Sequence, residues 1–544
     1  MKDKTVIAST NATDLDKLEA VLAKYHRDDA PGAIVSVQRH GKVLLRRGYG
    51  LANIECAQAN TPSTKMRIGS TTKHFACVMA LLLRDDGKLS IDEPVSRWLP
   101  ELPASQGRRT LRQFMNHTGG TRDYLDLSLI SNGMTLMPED GAYRYQCQQE
   151  EDNFAPGEGF IYNNGGYRML SMVIERVTGL SLAEAMRQRL FEPLGMHETS
   201  LWSNDLNPLP GVAQSHFATA DGRFTKGIFP SVILGEGGIA STLDDMQRWL
   251  GHLHAPTLWP RSLSDELLAP TRLNNGYVNP YGLGLIAETW RGIRMFHHAG
   301  GVVGGSCQML CAPDHGIQII TMTNRSDTAA PELAEKLLSA LVESELEPAA
   351  TPADAKLVDS LGGHYFCADS GRHFVILGHG DALFLKNFDG MLPLTQVPGE
   401  TTLRVNLLSV IALTVKPVLN SQGQAVVIEV AEQGLVHRCE RVTPLQGPES
   451  LSDYAGSFHS SELCAHITIG EGEPTSVHIS GRYGSTRYRL EPLVPGTCLM
   501  QSTDPMVPLS GTLRLARGTD GKRLLILDTG RTRRLALLEA TARG

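Results

Sequence analysis

RIGSTTKHFACVMALLLRDDGKLSIDEPV, residues 67–95, places a serine at the mouth of an apolar helix. Phe75, Val78, Met79 and Leu82 recur at helical spacing and predict one buried face. Ser70 then stands at the helix N-terminus, with Lys73 one turn later on the same side. That pairing suits acyl transfer. A hydroxyl attacks poorly until a neighbour takes its proton. A lysine takes it near neutral pH only where burial and the positive helix end depress its pKa. The same helix end stabilises negative charge on an attacked carbonyl. Read alone, an N-cap serine followed by a solvated lysine gives the same pattern, so the motif needs partners elsewhere in the chain.

Two partners follow in order. In FAPGEGFIYNNGGYRMLSMVIERVTGLSL (154–182), Tyr162, Asn163 and Asn164 occupy a Gly-flanked loop before an amphipathic helix. A tyrosine hydroxyl beside a lysine can carry a proton between nucleophile and leaving group, and Asn164 is a candidate for binding a substrate amide. In MFHHAGGVVGGSCQMLCAP (295–313), a strand is expected to end at His297 and His298, followed by a Gly-rich turn. A histidine at a strand edge can bind a carboxylate or polarise a hydroxyl, and glycines let backbone N–H groups approach a ligand. The plain alternatives are a packed loop tyrosine and an exposed turn histidine. A fourth segment, ILGEGGIASTLDDM (233–246), offers Glu236 between two glycines. It is a candidate partner for a substrate ammonium, or else an exposed loop glutamate.

Outward from these motifs the chain reads as α+β. A helix is predicted at 12–28. Two strands follow in GAIVSVQRHGKVLLRRGYGLAN, with a turn at His40–Gly41. Short apolar strands return at 281–323, and a helix, ELAEKLLSALVESEL, follows. Strands from both ends therefore flank a helical insert and are expected to join in one antiparallel sheet covered by the terminal helices. The Ala/Pro-rich stretch 347–356 reads as a linker. Beyond it, Leu357, Asp359 and Gly362 recur as Leu451, Asp453 and Gly456, an offset of 94. Three domains are expected: 1–346, with the chemistry, then two small antiparallel β-barrels at 357–442 and 451–544.

The 544-residue chain is 41% hydrophobic and carries a net charge of −7 without a long basic run, which argues against a nucleic-acid partner. Its start lacks the apolar stretch of a signal peptide, and Phe75 to Leu83 is too short to span a bilayer, so a cytoplasmic protein without membrane contact is expected. Nine scattered cysteines fit reduced thiols, and Cys307 and Cys311 lack the companions of a zinc site. No metal or cofactor is expected. Gly-x-Ser-x-Gly, His-Glu-x-x-His and the phosphate-binding Gly-x-x-x-x-Gly-Lys are all missing from the sequence.

Ser-x-x-Lys, Tyr-x-Asn and a His-Ala-Gly triplet in this order resemble the serine β-lactamase and penicillin-binding-protein superfamily, over about residues 12–345. The resemblance implies Ser70 as nucleophile, Lys73 as its base partner and Tyr162 as second proton carrier. It also implies Asn164 as amide binder and the N–H groups of Ser70 and Gly301 as oxyanion donors. His298 stands where β-lactamases carry lysine. That change and the two extra β domains are similar to the D-stereospecific aminopeptidases, as are NHTGGTRDYLDLSLISNG (116–133), HAGGVVGGSCQ (298–308) and LSDYAGSFHSSEL (451–463). In that group a loop of the last domain reaches the active site, which implies such a role for GRYGSTR (481–487) with Gly481 and Gly484. The expected activity is release of a small N-terminal residue of D configuration from a peptide, amide or ester through an acyl-enzyme. The alternatives are an esterase or D,D-peptidase of the same superfamily, or a non-catalytic β-lactam-binding sensor. The expected partner is a small substrate, with a homodimer left open.

Overall fold

The computed structural model describes residues 12–348 and 355–540, apart from 380–381, 389, 397–398, 406–407, 409–412, 508 and 519–520. Six strands form the central antiparallel sheet: β1 (Ala33–Arg39), β2 (Lys42–Tyr49), β3 (Ile286–Trp290), β4 (Ile293–Val302), β5 (Gly305–Ala312) and β6 (Ile317–Thr323). Their order is β3-β4-β5-β6-β1-β2, so the early hairpin completes a sheet whose other strands lie more than 200 residues later. Ile34 of β1 faces Gly48 on one side and Met322 on the other. His40 and Gly41 turn the hairpin with φ of 49° and 74°, the left-handed pair that a two-residue turn between twisted strands requires.

Helices α1 (Ala12–Leu22), α2 (Lys73–Asp85), α4 (Asn164–Thr178) and α5 (Ala330–Val342) share cores with this sheet, whereas α3 (Tyr124–Asn132) turns its apolar side to the second barrel. Leu18 and Leu22 of α1 join Leu333 and Leu337 of α5 over Val35, Val37 and Ile319, covering one face. The helical insert covers the other face with α2 at its centre. The expectation of a single buried stripe on α2 needs correction. Every residue from Phe75 to Leu81 is fully buried, whereas Leu82 is only partly so. A helix apolar all round belongs inside the core rather than on its surface.

The expected Gly-rich turn after His298 is also corrected, because β4 continues through it to Val302 with Gly300 opposite Cys307. The glycines serve a close crossing. A Cβ at Gly300 would lie 1.8 Å from the carbonyl oxygen of Ile68, so only glycine lets β4 pass the turn that carries Ser70.

Eight strands from Gly363–Phe366 to Leu435–Val442 close one barrel, and eight from Gly456–Ser460 to Leu535–Glu539 close another. Inward and outward side chains alternate, as in Ala465, Ile467 and Ile469, which point into the second barrel. The two first strands open on Gly363 and Gly456 at φ of 144° and 142°. The structural repeat is therefore 93 residues, one less than the sequence match suggested. Of the 347–356 linker, residues 349–354 lie outside the described residues, and helix Ala355–Leu361 follows them.

The second barrel is fused to the insert by a shared core. Tyr124, Leu127 and Ile130 of α3 pack with Phe458, Ile467, Tyr488 and Leu535. Fully buried Arg122 pairs with Glu462 and donates to the carbonyl of Arg533, while Thr529 Oγ1 donates to Asp126 at 2.7 Å. This docking brings the 529–534 loop of the barrel to the neighbourhood of Ser70. Among the described residues no helix is long and apolar enough to cross a membrane.

Candidate active site

Ser70 sits in a 3₁₀ turn, Gly69–Thr72, that runs directly into α2, and Lys73 is the first residue of that helix. Gly69 has φ of 54°, and a Cβ there would come within 2.6 Å of the carbonyl oxygen of Gly301. Both facts make glycine the residue that holds Ser70 against the end of β4. Lys73 is fully buried, and its Nζ lies 3.1 Å from Ser70 Oγ, 2.9 Å from Asn164 Oδ1 and 2.6 Å from the carbonyl oxygen of Glu236. Asn164 and Glu236 offer acceptors only, so they fix two hydrogens of a neutral amine and leave its lone pair for Ser70. Burial lowers the Lys73 pKa to about 7; Glu236 and Asp123 oppose that shift and Arg531 adds to it.

Tyr162 is half-buried, with its ring 4.7 Å from Lys73 Nζ. Its phenol oxygen makes no hydrogen bond. Burial pushes the phenol well above its ordinary pKa, and the Ser70 hydroxyl is the first group to oppose that rise. Asn163 caps α4, accepting from Gly166 N–H at 2.9 Å. Asn164 lines the cleft, but its amide is committed at both ends: Oδ1 to Lys73, Nδ2 to Asp123 at 2.9 Å. The structure thus makes Asn164 a strut between Lys73 and Asp123, and its amide keeps a second N–H and a second lone pair on the side of the cleft it lines.

Glu236 is not the exposed loop glutamate of the plain alternative, being 3% exposed. Its Oε1 accepts from the Tyr124 hydroxyl and pairs with Arg168, each at 2.9 Å, while Oε2 is buried without a hydrogen-bond partner.

His298 requires a correction. It does not line the cleft; from its strand only Gly301 and Val302 do. Its ring is buried and ends a chain of hydrogen bonds. Asn163 N–H donates to His117 Nδ1, so His117 Nε2 carries the proton that meets Tyr281, 3.1 Å away. The Tyr281 hydroxyl in turn faces His298 Nε2 at 3.0 Å, and His298 Nδ1 gives its proton to the carbonyl of Ala299. Backbone groups at both ends therefore set both tautomers. Burial, then the Lys73 charge, lowers the His298 pKa to about 3, and burial lowers that of His117 as well. A neutral, fully engaged imidazole is a brace between the Tyr162 loop and β4 rather than a group aimed at substrate.

Gly481 and Gly484 also fall outside the cleft. The N–H groups of Tyr483 and Gly484 donate to Asn132 Oδ1 at the end of α3. A Cβ at Gly481 would meet Asn132 at 2.4 Å, and one at Gly484 would meet Thr135 at 2.3 Å. The glycines exist for this close docking. The barrel residue that enters the cleft is Arg531, whose guanidinium lies 5.3 Å from the Tyr162 ring and donates to Asp123 at 3.1 Å. The segment GRTRR (530–534) looks in sequence like any basic turn, and nothing local marks which surface it meets. Asp123, Tyr124 and His117 all fall within the 116–133 stretch, whose resemblance was visible although their roles were not.

The assembled cleft has a volume of about 180 Å³. Ser70, Tyr162 and Asn164 line it together with Gly301 and Val302 of β4, Tyr124, Phe229 and Glu236 of the insert, and Arg531 of the second barrel.

A beta-lactamase family model matches residues 15–343. A D-aminopeptidase of Brucella canis is 27% identical over 464 residues, covering 84% of each chain. A D-aminopeptidase of Brucella anthropi is 28% identical, covering 81% of each chain. Among solved structures, an octameric penicillin-binding protein homologue from Pyrococcus abyssi superposes with a TM-score of 0.56 at 22% identity, over 78% of this chain and 100% of its own.

Proposed function

The chain belongs to the beta-lactamase family, and from that premise we propose that it is a serine aminopeptidase releasing a small N-terminal D-amino acid from peptides, amides or esters. The observation that carries this reading is the pair Ser70 and Lys73, 3.1 Å apart in a cleft that the C-terminal barrel covers with Arg531. The similarity to D-aminopeptidases extends beyond the family match at residues 15–343, since it takes in 84% of the chain.

Ser70 Oγ attacks the substrate carbonyl and passes its proton to the Lys73 lone pair. The carbonyl oxygen becomes an oxyanion that the N–H groups of Ser70 and Gly301 receive. Tyr162 hands a proton to the departing nitrogen, the C–N bond breaks, and the aminoacyl group remains on Ser70. The Tyr162 oxygen recovers its proton from Lys73; water then loses a proton to the regenerated amine as it attacks the ester, and that proton passes to Ser70 Oγ as the C–O bond breaks and the acid leaves. Glu236 is the candidate partner for the substrate α-ammonium, because it lines the cleft and its Oε2 has no hydrogen-bond partner.

The decisive test is turnover of matched D- and L-alaninamide, with N-acetyl-D-alaninamide and a simple penicillin alongside. Turnover of D-alaninamide well above the other three is expected. A stoichiometric burst without turnover would make the chain a β-lactam sensor, and preferred cleavage of acetylated substrates would make it a D,D-peptidase or esterase.

The Lys73 pKa of about 7 fixes the pH dependence. The protonated ammonium is inactive as a base, so kcat/KM should fall roughly tenfold per pH unit below 7 and level off above it. Arg531→Met removes a charge that lowers the Lys73 pKa, so the acidic limb should move to higher pH. A limb that stays in place in this variant would detach Lys73 from the observed titration.

A further inference from the structure

We propose that the cavity where the two barrels meet the Ser70 region is the leaving-group site, and that it selects substrates whose amine component carries an apolar side chain. This rests on the aminopeptidase reading, in which Ser70 takes up the aminoacyl part and Tyr162 protonates the departing nitrogen.

The cleft at Ser70 measures about 180 Å³, below the ~300–1,000 Å³ of ligand pockets in general. It has room for a small acyl residue and little else. A second cavity of about 510 Å³ adjoins it, and the two share Leu125, Tyr162 and Arg531 as a common wall. Tyr162 lines both spaces. A nitrogen that receives its proton therefore stands at the threshold, and whatever that nitrogen carries extends into the larger cavity.

The wall of that cavity is mostly apolar, and all three parts of the chain build it. Leu129 comes from α3, Phe160 and Ile161 from the loop before Tyr162, Phe388 and Leu435 from the first barrel, and Leu509 from the second. The acidic groups along its edge are already engaged. Asp126 accepts from Thr529 and Thr532, and Glu432 pairs with Arg372. The remaining demand is for apolar surface, whose removal from water is the gain available to a bound side chain. The first barrel does not line the cleft around Ser70, yet its 432–435 hairpin is fastened here. Asn275 Nδ2 donates to the Gly434 carbonyl at 2.8 Å, and a Cβ at Gly159 would lie 3.1 Å from Leu435. Shaping this cavity gives that barrel a part in the reaction.

The test compares D-alaninamide, D-Ala-Gly and D-Ala-Leu as substrates of the full chain. D-Ala-Leu should be cleaved with a kcat/KM about tenfold or more above D-Ala-Gly, the margin an apolar pocket supplies. Leu435→Trp, which fills the cavity, should lower the ratio of kcat/KM for D-Ala-Leu over D-alaninamide about tenfold. Leu435→Gln, which keeps the volume and removes the apolar surface, should lower the same ratio and serves if the tryptophan variant does not fold. Equal rates for D-Ala-Gly and D-Ala-Leu, or a ratio unmoved in both variants, would overturn the assignment. Failure to cleave D-alaninamide at all would instead overturn the aminopeptidase reading.

Discussion

Ser70→Ala should lower kcat on D-alaninamide on the order of 10⁴-fold or more, and Lys73→Ala should do comparable damage. The pair act as one unit, so the double variant should be little worse than either single one. The reason is geometric. In the proposed mechanism Ser70 Oγ attacks only while the Lys73 amine, held by Asn164 Oδ1 and the Glu236 carbonyl, faces it across 3.1 Å. Once that transfer is lost, the oxyanion donors act on an attack that does not begin. The two variants should differ in stability. Ser70→Ala removes a half-buried hydroxyl and leaves the fold unchanged. Lys73→Ala strands two buried acceptors, each worth about 1–3 kcal/mol when unsatisfied, although it also relieves the burial of an ammonium. Active-site titration, single-turnover kinetics and thermal unfolding separate these effects. A Ser70→Ala enzyme with near wild-type turnover would remove the basis of the proposed function.

The contact between Ser70 and Lys73 was legible because its geometry is local: the two lie three positions apart, and helix pitch does the rest. The sheet was legible for a related reason, since short apolar runs bounded by Gly, Pro or Asp at 281–323 mark its strands, and β1, β5 and β6 are buried almost continuously because both faces of the sheet are covered. What escaped was contact between distant segments. Arg531 reaches Asp123 across 408 positions, and the 481–487 turn docks on Asn132 across some 350. Both turns are glycine-bearing and basic, so composition alone does not say which one enters the cleft; the packing of α3 into the second barrel decides it. His298 was misjudged for a similar reason. Its sequence neighbours are glycines that suggest an open turn, whereas Tyr281 and His117, which bury and neutralise it, come from two other parts of the chain. Fold class follows from periodicity, but the role of a side chain depends on which surface the fold brings over it.

Arg168→Met should destabilise the protein by about 3–5 kcal/mol, the cost of leaving one member of a buried ion pair without its partner. Arg168 and Glu236 are 4% and 3% exposed, 2.9 Å apart, with Arg168 also bound to the Val232 carbonyl. Removing the cation leaves the Glu236 carboxylate supported by the Tyr124 hydroxyl alone. Two further consequences follow from its position. The Glu236 charge already raises the Lys73 pKa, and without Arg168 to balance it the rise should grow, moving the acidic limb of kcat/KM to higher pH. Arg168→Met combined with Glu236→Gln removes both charges, so the double variant should recover most of the lost stability and return the acidic limb towards or below pH 7. Glu236→Gln alone reads the catalytic side. If Oε2 holds the substrate α-ammonium, this variant should raise KM for D-alaninamide well above its effect on N-acetyl-D-alanine methyl ester, whose nitrogen carries no charge. Thermal unfolding and pH–rate profiles of the four proteins complete the cycle. A double variant no more stable than Arg168→Met alone would show that Arg168 acts through its packing against Tyr124 and not through Glu236. Equal KM changes for the free-amine and acetylated substrates would place the ammonium elsewhere in the cleft, with Asp123 the next carboxylate beside Arg531.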